Sequence, residues 1–378
     1  MLNDTNNAAW LEAEILRVAR IERTVEIEPA IKNLSRECKD RGYPQRMTDL
    51  RQMITDARRA EVDDATEAEA EATRESGVWR GRTVRVDTED KEATAEQFLG
   101  AMFQHPKGWR LVFWRDSFYE WQTTHWTPTD ANELKHDLRL WLAEECFEAT
   151  NKGFGPVKPT IRLVEEVMAA LKALTLYEGA NSTGWLTRTK PAAHPMSVRN
   201  GILDLGTRTL HPHTPTLFNL HYVDADWDQN APDLMDTPAG PWLMEAFGAD
   251  QIPLLQEFTG YFLTGRTDAQ KALMIIGPPR SGKGTYGRVL AALLGGNMAS
   301  MSARTMGNQF GREGLLDKPV CIMPDMRVGK NTDKVAVAET LLGVIGEDWV
   351  EVPRKYKTPW HGKLDTRFLI MSNSVPWL

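Results

Sequence analysis

Apolar residues in the first sixty positions recur three or four residues apart, which is the spacing of an amphipathic α-helix. The two stripes are Leu11, Ile15, Val18 and Ala19, and then Met47, Leu50, Ile54 and Ala57. Residues 61–75 carry seven acids against one arginine, a composition typical of a solvated helix or a linker. The pattern predicts a helical arm followed by an acidic linker over residues 1–90.

Residues 91–240 mix helical and alternating patterns. Helices are predicted over 93–103, over 134–142 behind a capping pair of Asp130 and Glu133, and over 160–174. The aromatic stretch from Trp109 to Trp126 alternates with polar breaks, which predicts a small hairpin or meander. Its four tryptophans, with two nearby arginines, could stack nucleic-acid bases, but they are more typical of a sheet core. Two further short strands are predicted within 198–210.

A strand, a glycine-rich turn and a helix follow one another between residues 271 and 294. The run Ala272–Ile276 predicts a short buried strand, and the apolar positions of 289–294 recur at helical spacing. The turn contains Gly277, Pro278, Pro279, Arg280, Ser281, Gly282, Lys283, Gly284 and Thr285. In this context the turn predicts a phosphate-binding loop, because glycines let backbone N–H groups approach phosphate oxygens at a helix N-terminus.

The residue types of the loop predict ATP and Mg²⁺ as its ligands. Lys283 is expected to reach the β and γ phosphates. Gly284 occupies the position where Ser or Thr usually follows the lysine, so Thr285 becomes the expected Mg²⁺ ligand. An ordinary Gly/Pro turn is the alternative, and it does not account for the lysine and hydroxyl at this spacing.

Two more apolar runs end in polar residues. Val320–Met323 leads to Asp325, whose carboxylate is expected to hold Mg²⁺ and its water shell. The next residue is Met326, where many such ATPases have a glutamate, so the general base is unassigned and Glu339 is the candidate. The run 368–371 leads to Asn373, which is expected to hydrogen-bond the γ-phosphate or the attacking water.

Residues 349–367 carry five basic residues against two acids, and Val350, Val352 and Trp360 suggest a hairpin. The basic residues are Arg354, Lys355, Lys357, Lys363 and Arg367. Lys355 and Lys357 would point the same way on a strand, with Tyr356 on the opposite side. Basic residues interleaved with aromatic ones suit single-stranded DNA, so the predicted DNA contacts are Arg354, Lys355, Lys357 and His361. A solvated basic turn is the alternative.

These motifs, in this order, resemble superfamily 3 helicases of the phage and plasmid primase–helicase and poxvirus primase–helicase branch. The segments that carry the resemblance are GPPRSGKGT, the strand ending at Asp325, ETLLGVIGEDWVEVPRKYK and RFLIMSNSVP. Upstream, WRDSFYEWQTTHW, VRNGILDL and LLQEFTGYFLTG resemble the domain that precedes this ATPase. The resemblance covers the chain from about residue 94 onward.

The resemblance implies an α/β P-loop ATPase, an AAA+-like superfamily 3 helicase core, preceded by a mostly helical domain with a small β-sheet. The expected domains are 1–90, 91–240 and 241–378. The implied function is ATP-dependent translocation on single-stranded or forked DNA in phage or plasmid replication, with a primase as a partner. The core would work as a homo-oligomer, usually a hexameric ring, once a C-terminal part is supplied.

Two departures from the family keep other functions open. The sequence ends five residues after Asn373, before the family's arginine finger and C-terminal helical part, and residues 1–90 lack a clear pair of metal-binding acids for priming. A truncated protein that binds nucleotide or DNA without catalysis is therefore one alternative. A small-molecule (nucleotide) kinase is another, because the loop string also resembles those of adenylate and related kinases.

Composition indicates which compartment and which kinds of binding surface fit these functions. The net charge is −7, so any DNA-binding surface must be local. Three widely separated cysteines signal neither a zinc ribbon nor a disulfide framework, which fits a reducing compartment. The N-terminus does not read as a signal peptide, and no apolar run reaches the length of a membrane span. We expect the cytoplasm of a bacterial host cell and no membrane partner.

Overall fold

The chain is a mixed α/β protein with a helical N-terminal region and several small sheets. The computed structural model describes residues 2–179, 182–326, 332–355 and 357–376. The helices are α1 (Leu2–Ala19), α2 (Thr24–Asp40), α3 (Met47–Ser76), α4 (Lys91–Met102), α5 (Ala131–Glu144), α6 (Ile161–Leu174), α7 (Ala239–Phe247), α8 (Ile252–Thr264), α9 (Lys283–Leu293), α10 (Ala303–Met306) and α11 (Lys334–Ile345).

Most strands are two to five residues long. They are β1 (Val84–Arg85), β2 (Gln104–His105), β3 (Gly108–Trp109), β4 (Leu111–Trp114), β5 (Ser117–Trp121), β6 (Trp126–Thr129), β7 (Cys146–Thr150), β8 (Gly153–Pro156), β9 (Thr183–Trp185), β10 (Pro195–Val198), β11 (Gly201–Asp204), β12 (Thr209–His211), β13 (Leu217–Asn219), β14 (Leu273–Ile276), β15 (Ala299–Ser300), β16 (Val320–Met323), β17 (Val350–Arg354), β18 (Lys357–Gly362) and β19 (Arg367–Ser372). In the described part of the chain, no helix combines the length and apolarity needed to cross a bilayer.

The chain divides into two compact units. The first contains the residues up to Phe98 together with Leu134–Leu171, and the second contains Leu99–Glu133 and the chain from Lys172 onward. Each unit is thus built from separated stretches of sequence. The predicted boundaries at residues 90 and 240 stay a prediction.

In the first unit, α1, α2 and α3 pack around a shared apolar core. Both predicted stripes point into it, with Val18 and Leu50 fully buried, so this part of the sequence analysis is confirmed. The acidic stretch 61–75 is the second half of α3. That helix ends where Gly77, with φ +69°, accepts the left-handed conformation that a C-terminal cap requires.

In the second unit, β4, β5 and β6 form an antiparallel meander. Trp114 and Trp126 are almost fully buried in its core and pack on Phe218. Their indole N–H groups donate to Gly179 O at 2.7 Å and Leu217 O at 2.8 Å. The prediction that these aromatics form a sheet core is confirmed, while Trp109 on β3 is 40% exposed.

The C-terminal part of the second unit contains a parallel sheet with the order β14–β19–β16–β15. Leu369 and Met371 of β19 face a cluster with residues of α8 and α9. Phe368 and Ile370 face the opposite cluster, with residues of α10, α11 and β17. The sheet is thus covered on both faces at β19, which is the usual environment of parallel strands, whereas Met274 and Ile276 of the edge strand β14 are 41% and 44% exposed. The three strands predicted in this region are present, but the run predicted to be a buried strand, β14, is buried on one face only.

Polar contacts hold the chain where α9 ends. Asn297 Nδ2 donates to Leu220 O at 2.8 Å and to His221 Nδ1 at 3.1 Å, and Asn297 Oδ1 accepts from Lys318 Nζ at 2.7 Å. Desolvation, and then the charges of Lys318 and His125, lower the pKa of His221 to about 3. This imidazole is therefore neutral at physiological pH and serves as an acceptor for Asn297.

Candidate functional site

The loop between β14 and α9 lies at the carboxyl edge of the parallel sheet. The predicted strand, turn and helix are all present, with β14 ending at Ile276 and α9 beginning at Lys283. The N–H of Gly277 donates to Ser372 O at 3.2 Å, which ties the start of the loop to the end of β19. In open α/β sheets, ligands bind at this edge of the strands.

Two residues of the loop adopt left-handed backbone conformations. Arg280 has φ +65° and Gly282 has φ +86°. A Cβ at Gly282 would lie 2.8 Å from the Cβ of Ala246, so only glycine fits both the conformation and the close approach of α7. A non-glycine residue such as Arg280 is uncommon in this region, and such residues cluster at ligand-binding sites.

Lys283, the first residue of α9, is buried beneath the loop. Its ammonium donates to Gly277 O at 2.7 Å, Pro278 O at 2.8 Å and Ser281 Oγ at 3.2 Å. The side chain is only 8% exposed, so a positive charge is held in a confined space by neutral acceptors. A buried charge is costly unless it is compensated, and an anion in the loop would compensate it.

The loop opens into a cavity of about 770 Å³. Its lining comprises Trp242, Glu245, Ala246, Pro279, Arg280, Ser281, Gly282, Lys283, Gly284, Thr285, Arg288, Pro324 and Asn373. The fold thus brings seven of the nine predicted loop residues together with Asn373, which lies almost one hundred positions away in sequence. The other two loop residues, Gly277 and Pro278, bind the ammonium of Lys283 through their carbonyl oxygens.

Sequence reasoning missed two parts of this cavity. Trp242 and Glu245 belong to α7, more than thirty residues before the loop, and no local pattern connects them with it. Arg288 lies on α9 and donates to Thr285 Oγ1 at 3.0 Å. Helical spacing could have found Arg288, because residues three and four positions apart share one face of a helix.

The predicted acids lie in different surroundings. Asp325 is exposed just beyond β16, at the same edge as the loop, and its neighbour Pro324 lines the cavity. Met326 is buried, and its N–H donates to Met371 O at 2.9 Å, so the chain continues alongside β19. Glu339 is exposed on α11 and does not line the cavity. The metal role of Asp325 and the catalytic role of Glu339 stay predictions.

The predicted basic hairpin consists of β17 and β18. The strands are antiparallel, with Val350 opposite Gly362, Val352 opposite Trp360, and an irregularity before the Arg354 and Lys357 pair. Lys355 lies in the turn, so the argument that it and Lys357 point the same way along one strand was wrong. Tyr356 lies outside the described residues.

The sequence analysis counted Arg367 among the basic residues of the hairpin segment. In the structure, Arg367 does not lie on the hairpin surface. It is the first residue of β19 and is 1% exposed. Its Nε donates to Arg266 O at 2.9 Å, its Nη1 donates to Thr366 O at 2.7 Å, and burial lowers its pKa. A count of charges along the sequence could not reveal this, because burial follows from the register of β19 in the sheet.

The remaining hairpin contacts fix its backbone. Arg354 is partly buried and donates from Nε to Thr358 O at 2.8 Å, while His361 is exposed. At the base of the hairpin, the guanidinium of Arg115 lies 5.0 Å from the centre of the Trp360 ring and 4.1 Å from that of Trp114. These cation–π contacts join the hairpin to the meander within the second unit. DNA binding by the hairpin stays a prediction.

Comparisons with known proteins match the last part of the chain to a family and most of the chain to solved structures. The family is DUF5906, a family of unknown function, and it matches residues 275–378. The solved structures include the A form apo structure of the NrS-1 C terminal region, with 13% identity and a TM-score of 0.44. A second apo structure of that region has 14% identity and a TM-score of 0.45. Both matches cover 75% of this chain, which spans 57% of the length of each solved chain.

Proposed function

We propose that this chain is an ATP-dependent DNA helicase or translocase of phage or plasmid replication. The observation that carries the proposal is the buried ammonium of Lys283 beneath a glycine-rich loop, beside a cavity of about 770 Å³. A cation held by neutral acceptors at a helix N-terminus favours binding of a polyphosphate. ATP with Mg²⁺ is the ligand that the loop sequence predicts.

In this proposal the loop and the predicted polar residues have distinct roles. Backbone N–H groups of the loop and Lys283 bind the phosphates and stabilise the charge that develops during transfer. Thr285 and Asp325 would hold Mg²⁺, and Asn373 would orient the γ-phosphate or the attacking water. Glu339 is the general base that the sequence suggests, although its position outside the cavity lining does not support that role.

The hairpin is the proposed DNA contact. Its basic residues would meet phosphates of a single strand, and a ring of copies would bring one hairpin per subunit to a central channel. The binding energy would come mainly from charge, since phosphate contacts dominate such affinities. A primase and a forked DNA substrate are further proposed partners, on the basis of the family resemblance alone.

The direct test is the rate of ATP hydrolysis with and without single-stranded DNA. The proposal predicts Mg²⁺-dependent release of phosphate that DNA stimulates. Transfer of the γ-phosphate to a nucleoside monophosphate, without DNA stimulation, would instead establish a nucleotide kinase. Nucleotide binding without turnover would establish the non-catalytic alternative, and the absence of both binding and turnover would contradict a nucleotide function altogether.

The DNA contact has a test of its own, in which Lys355 and Lys357 are both replaced by Ala. Each lysine that neutralises a phosphate of single-stranded DNA contributes roughly 0.7 to the slope of log affinity against log salt concentration. The double variant should therefore bind single-stranded DNA more weakly, with a shallower slope, and should lose DNA stimulation while basal hydrolysis remains.

A matched control for this test replaces Lys152 and Lys158, two exposed lysines of the first unit, with Ala. The control removes the same charge from the chain and should leave both the affinity and its salt slope unchanged. Equal affinities and slopes for the hairpin variant and the control would refute DNA binding by the hairpin.

A further inference from the structure

In the first turn of α9, the guanidinium of Arg288 lies beside Gly284, which has no side chain. Gly284 has no Cβ, and a Cβ built there would lie 3.6 Å from Arg288 Nη1. The other terminal nitrogen, Nη2, donates to Thr285 Oγ1 at 3.0 Å. The guanidinium therefore lies across Gly284 and Thr285, at the wall of the cavity.

This arrangement puts Arg288 in competition with a metal ion. The Thr285 hydroxyl oxygen accepts a hydrogen bond from the guanidinium, and the same oxygen is the predicted ligand of Mg²⁺. Two unit charges 4 Å apart interact by about 4 kcal/mol at an effective dielectric of 20, so a guanidinium and a divalent cation at one hydroxyl repel each other strongly. Arrival of the metal would displace Arg288 from Thr285.

The surrounding charges indicate where the displaced guanidinium goes. Among the described residues, three basic side chains line the cavity, Arg280, Lys283 and Arg288, against one acid, Glu245. The excess of positive charge favours a polyanion in the cavity. A guanidinium presents a planar fork of N–H donors that matches two phosphate oxygens at once, and such charge-assisted bonds are among the stronger hydrogen bonds.

We propose that Arg288 leaves Thr285 and binds the phosphate groups of the nucleotide, whether or not a metal ion accompanies it. Its charge compensates for the hydroxyl that is missing at Gly284. A consequence is that this cavity binds metal-free ATP better than a loop with Ser or Thr at position 284 and no arginine on the next turn. The inference rests on the proposed function, since it requires that the cavity binds nucleotide.

The test compares ATP affinities of wild type, Arg288→Gln, Gly284→Ser and the double variant by calorimetry. Each titration is performed with excess EDTA and again with Mg²⁺. Gln keeps a donor but removes the charge, and the Cβ of a Ser at position 284 would make only an ordinary van der Waals contact with Arg288 Nη1 at 3.6 Å, so both substitutions suit the fold. Arg304→Gln is the control, because Arg304 is exposed on α10 and does not line the cavity.

We expect Arg288→Gln to weaken binding of metal-free ATP by roughly tenfold to a hundredfold, the range for a hydrogen bond to a charged group. Binding of MgATP should weaken less, so the ratio of the two dissociation constants rises. Adding Gly284→Ser should recover MgATP affinity without recovering metal-free affinity. The control should match wild type in both titrations.

The titrations distinguish a failure of the role of Arg288 from a failure of the proposed nucleotide function. If wild type binds ATP but Arg288→Gln leaves the ratio of dissociation constants unchanged, the role of Arg288 is refuted and the nucleotide site stands. If wild type binds no ATP with or without Mg²⁺, the proposed function is refuted, and the inference with it.

Discussion

The two ends of α9 differ in what their polar groups contact. At its beginning, Lys283 and Arg288 border an open cavity, and their acceptors are neutral oxygens of the loop and of Thr285. Beyond its end, Asn297 is bonded through both ends of its amide to Leu220, His221 and Lys318. The beginning of the helix thus presents positive charge to an open cavity, whereas the polar groups beyond its end contact one another within the protein.

This contrast separates function from stability along a single helix. Substitutions at the beginning remove groups that a ligand would use. Substitutions at the far end disturb a packed polar network, whose members are costly to leave without partners. The following predictions test the contrast, from the largest expected effect to the smallest.

Lys283→Ala should abolish ATP hydrolysis, with a loss of at least about a hundredfold, while the melting temperature stays near that of wild type. The ammonium donates to the loop carbonyls of Gly277 and Pro278, and removing one preorganised donor to a developing charge costs about 10²–10³ in rate. Hydrolysis assays and thermal melts measure both quantities. Lys271→Ala, an exposed lysine just before β14, is the matched control. Wild-type turnover by folded Lys283→Ala would disprove the loop assignment.

Asp325→Asn should lose Mg²⁺-dependent hydrolysis but retain ATP binding in EDTA. The carboxylate is proposed to hold the metal, whereas most phosphate contacts come from backbone N–H groups and Lys283. Calorimetry in EDTA and turnover across a Mg²⁺ titration distinguish the two effects. A loss of metal-free binding as complete as that of Lys283→Ala would contradict this division of roles.

Gly295→Ala should destabilise the protein by about 2–5 kcal/mol without changing ATP affinity well below the melting temperature. Its φ is +57°, and a Cβ there would lie 2.9 Å from Tyr222 Oη, so backbone strain and overpacking add. Gly296→Ala isolates the strain, because Gly296 has φ +75° and a Cβ there would meet no atom within 4 Å. Urea denaturation should show Gly295→Ala to be the more destabilising, and equal losses would rule out the packing contribution.

His221→Gln should reduce the acid sensitivity of folding. The pKa of His221 is about 3 in the folded protein and 6.5 as its ordinary value, so the unfolded chain takes up a proton first as pH falls. The stability due to the neutral imidazole is complete above pH 6.5 and is lost progressively from there toward pH 3. Between pH 7.5 and 5 the loss is about 2 kcal/mol.

Free energies of unfolding at these two pH values test the prediction. The wild-type loss should shrink by about 2 kcal/mol in His221→Gln and persist in His136→Gln, which replaces an exposed histidine of α5. An unchanged pH dependence in His221→Gln would show that another group causes the acid sensitivity.

The sequence predicted those features that depend on local pattern. Periodicity located β14, α9, β16, β19 and the hairpin, because each buries one face or one run of apolar side chains. The loop residues followed from their spacing between a strand and a helix. The buried aromatics of the meander followed from alternation, since buried positions of a sheet repeat every second residue.

The features that the sequence did not predict depend on contacts between distant segments. Trp242 and Glu245 reach the cavity only because α7 packs against Gly282. Arg367 is buried because β19 runs between β14 and β16. A count of charges along the sequence does not reveal that position in the sheet. The first unit joins residues 134–171 to the N-terminal helices across an intervening segment, which no linear division into domains anticipates.

The most direct test of the central claim is hydrogen–deuterium exchange of the full chain with and without MgATP. If the beginning of α9 binds the nucleotide, the amides from Arg280 to Tyr286 should exchange more slowly in its presence. The amides from Gly295 to Asn297, at the other end of the helix, should be unaffected. Unchanged exchange at the loop, or protection confined to other segments at a saturating nucleotide concentration, would contradict the account.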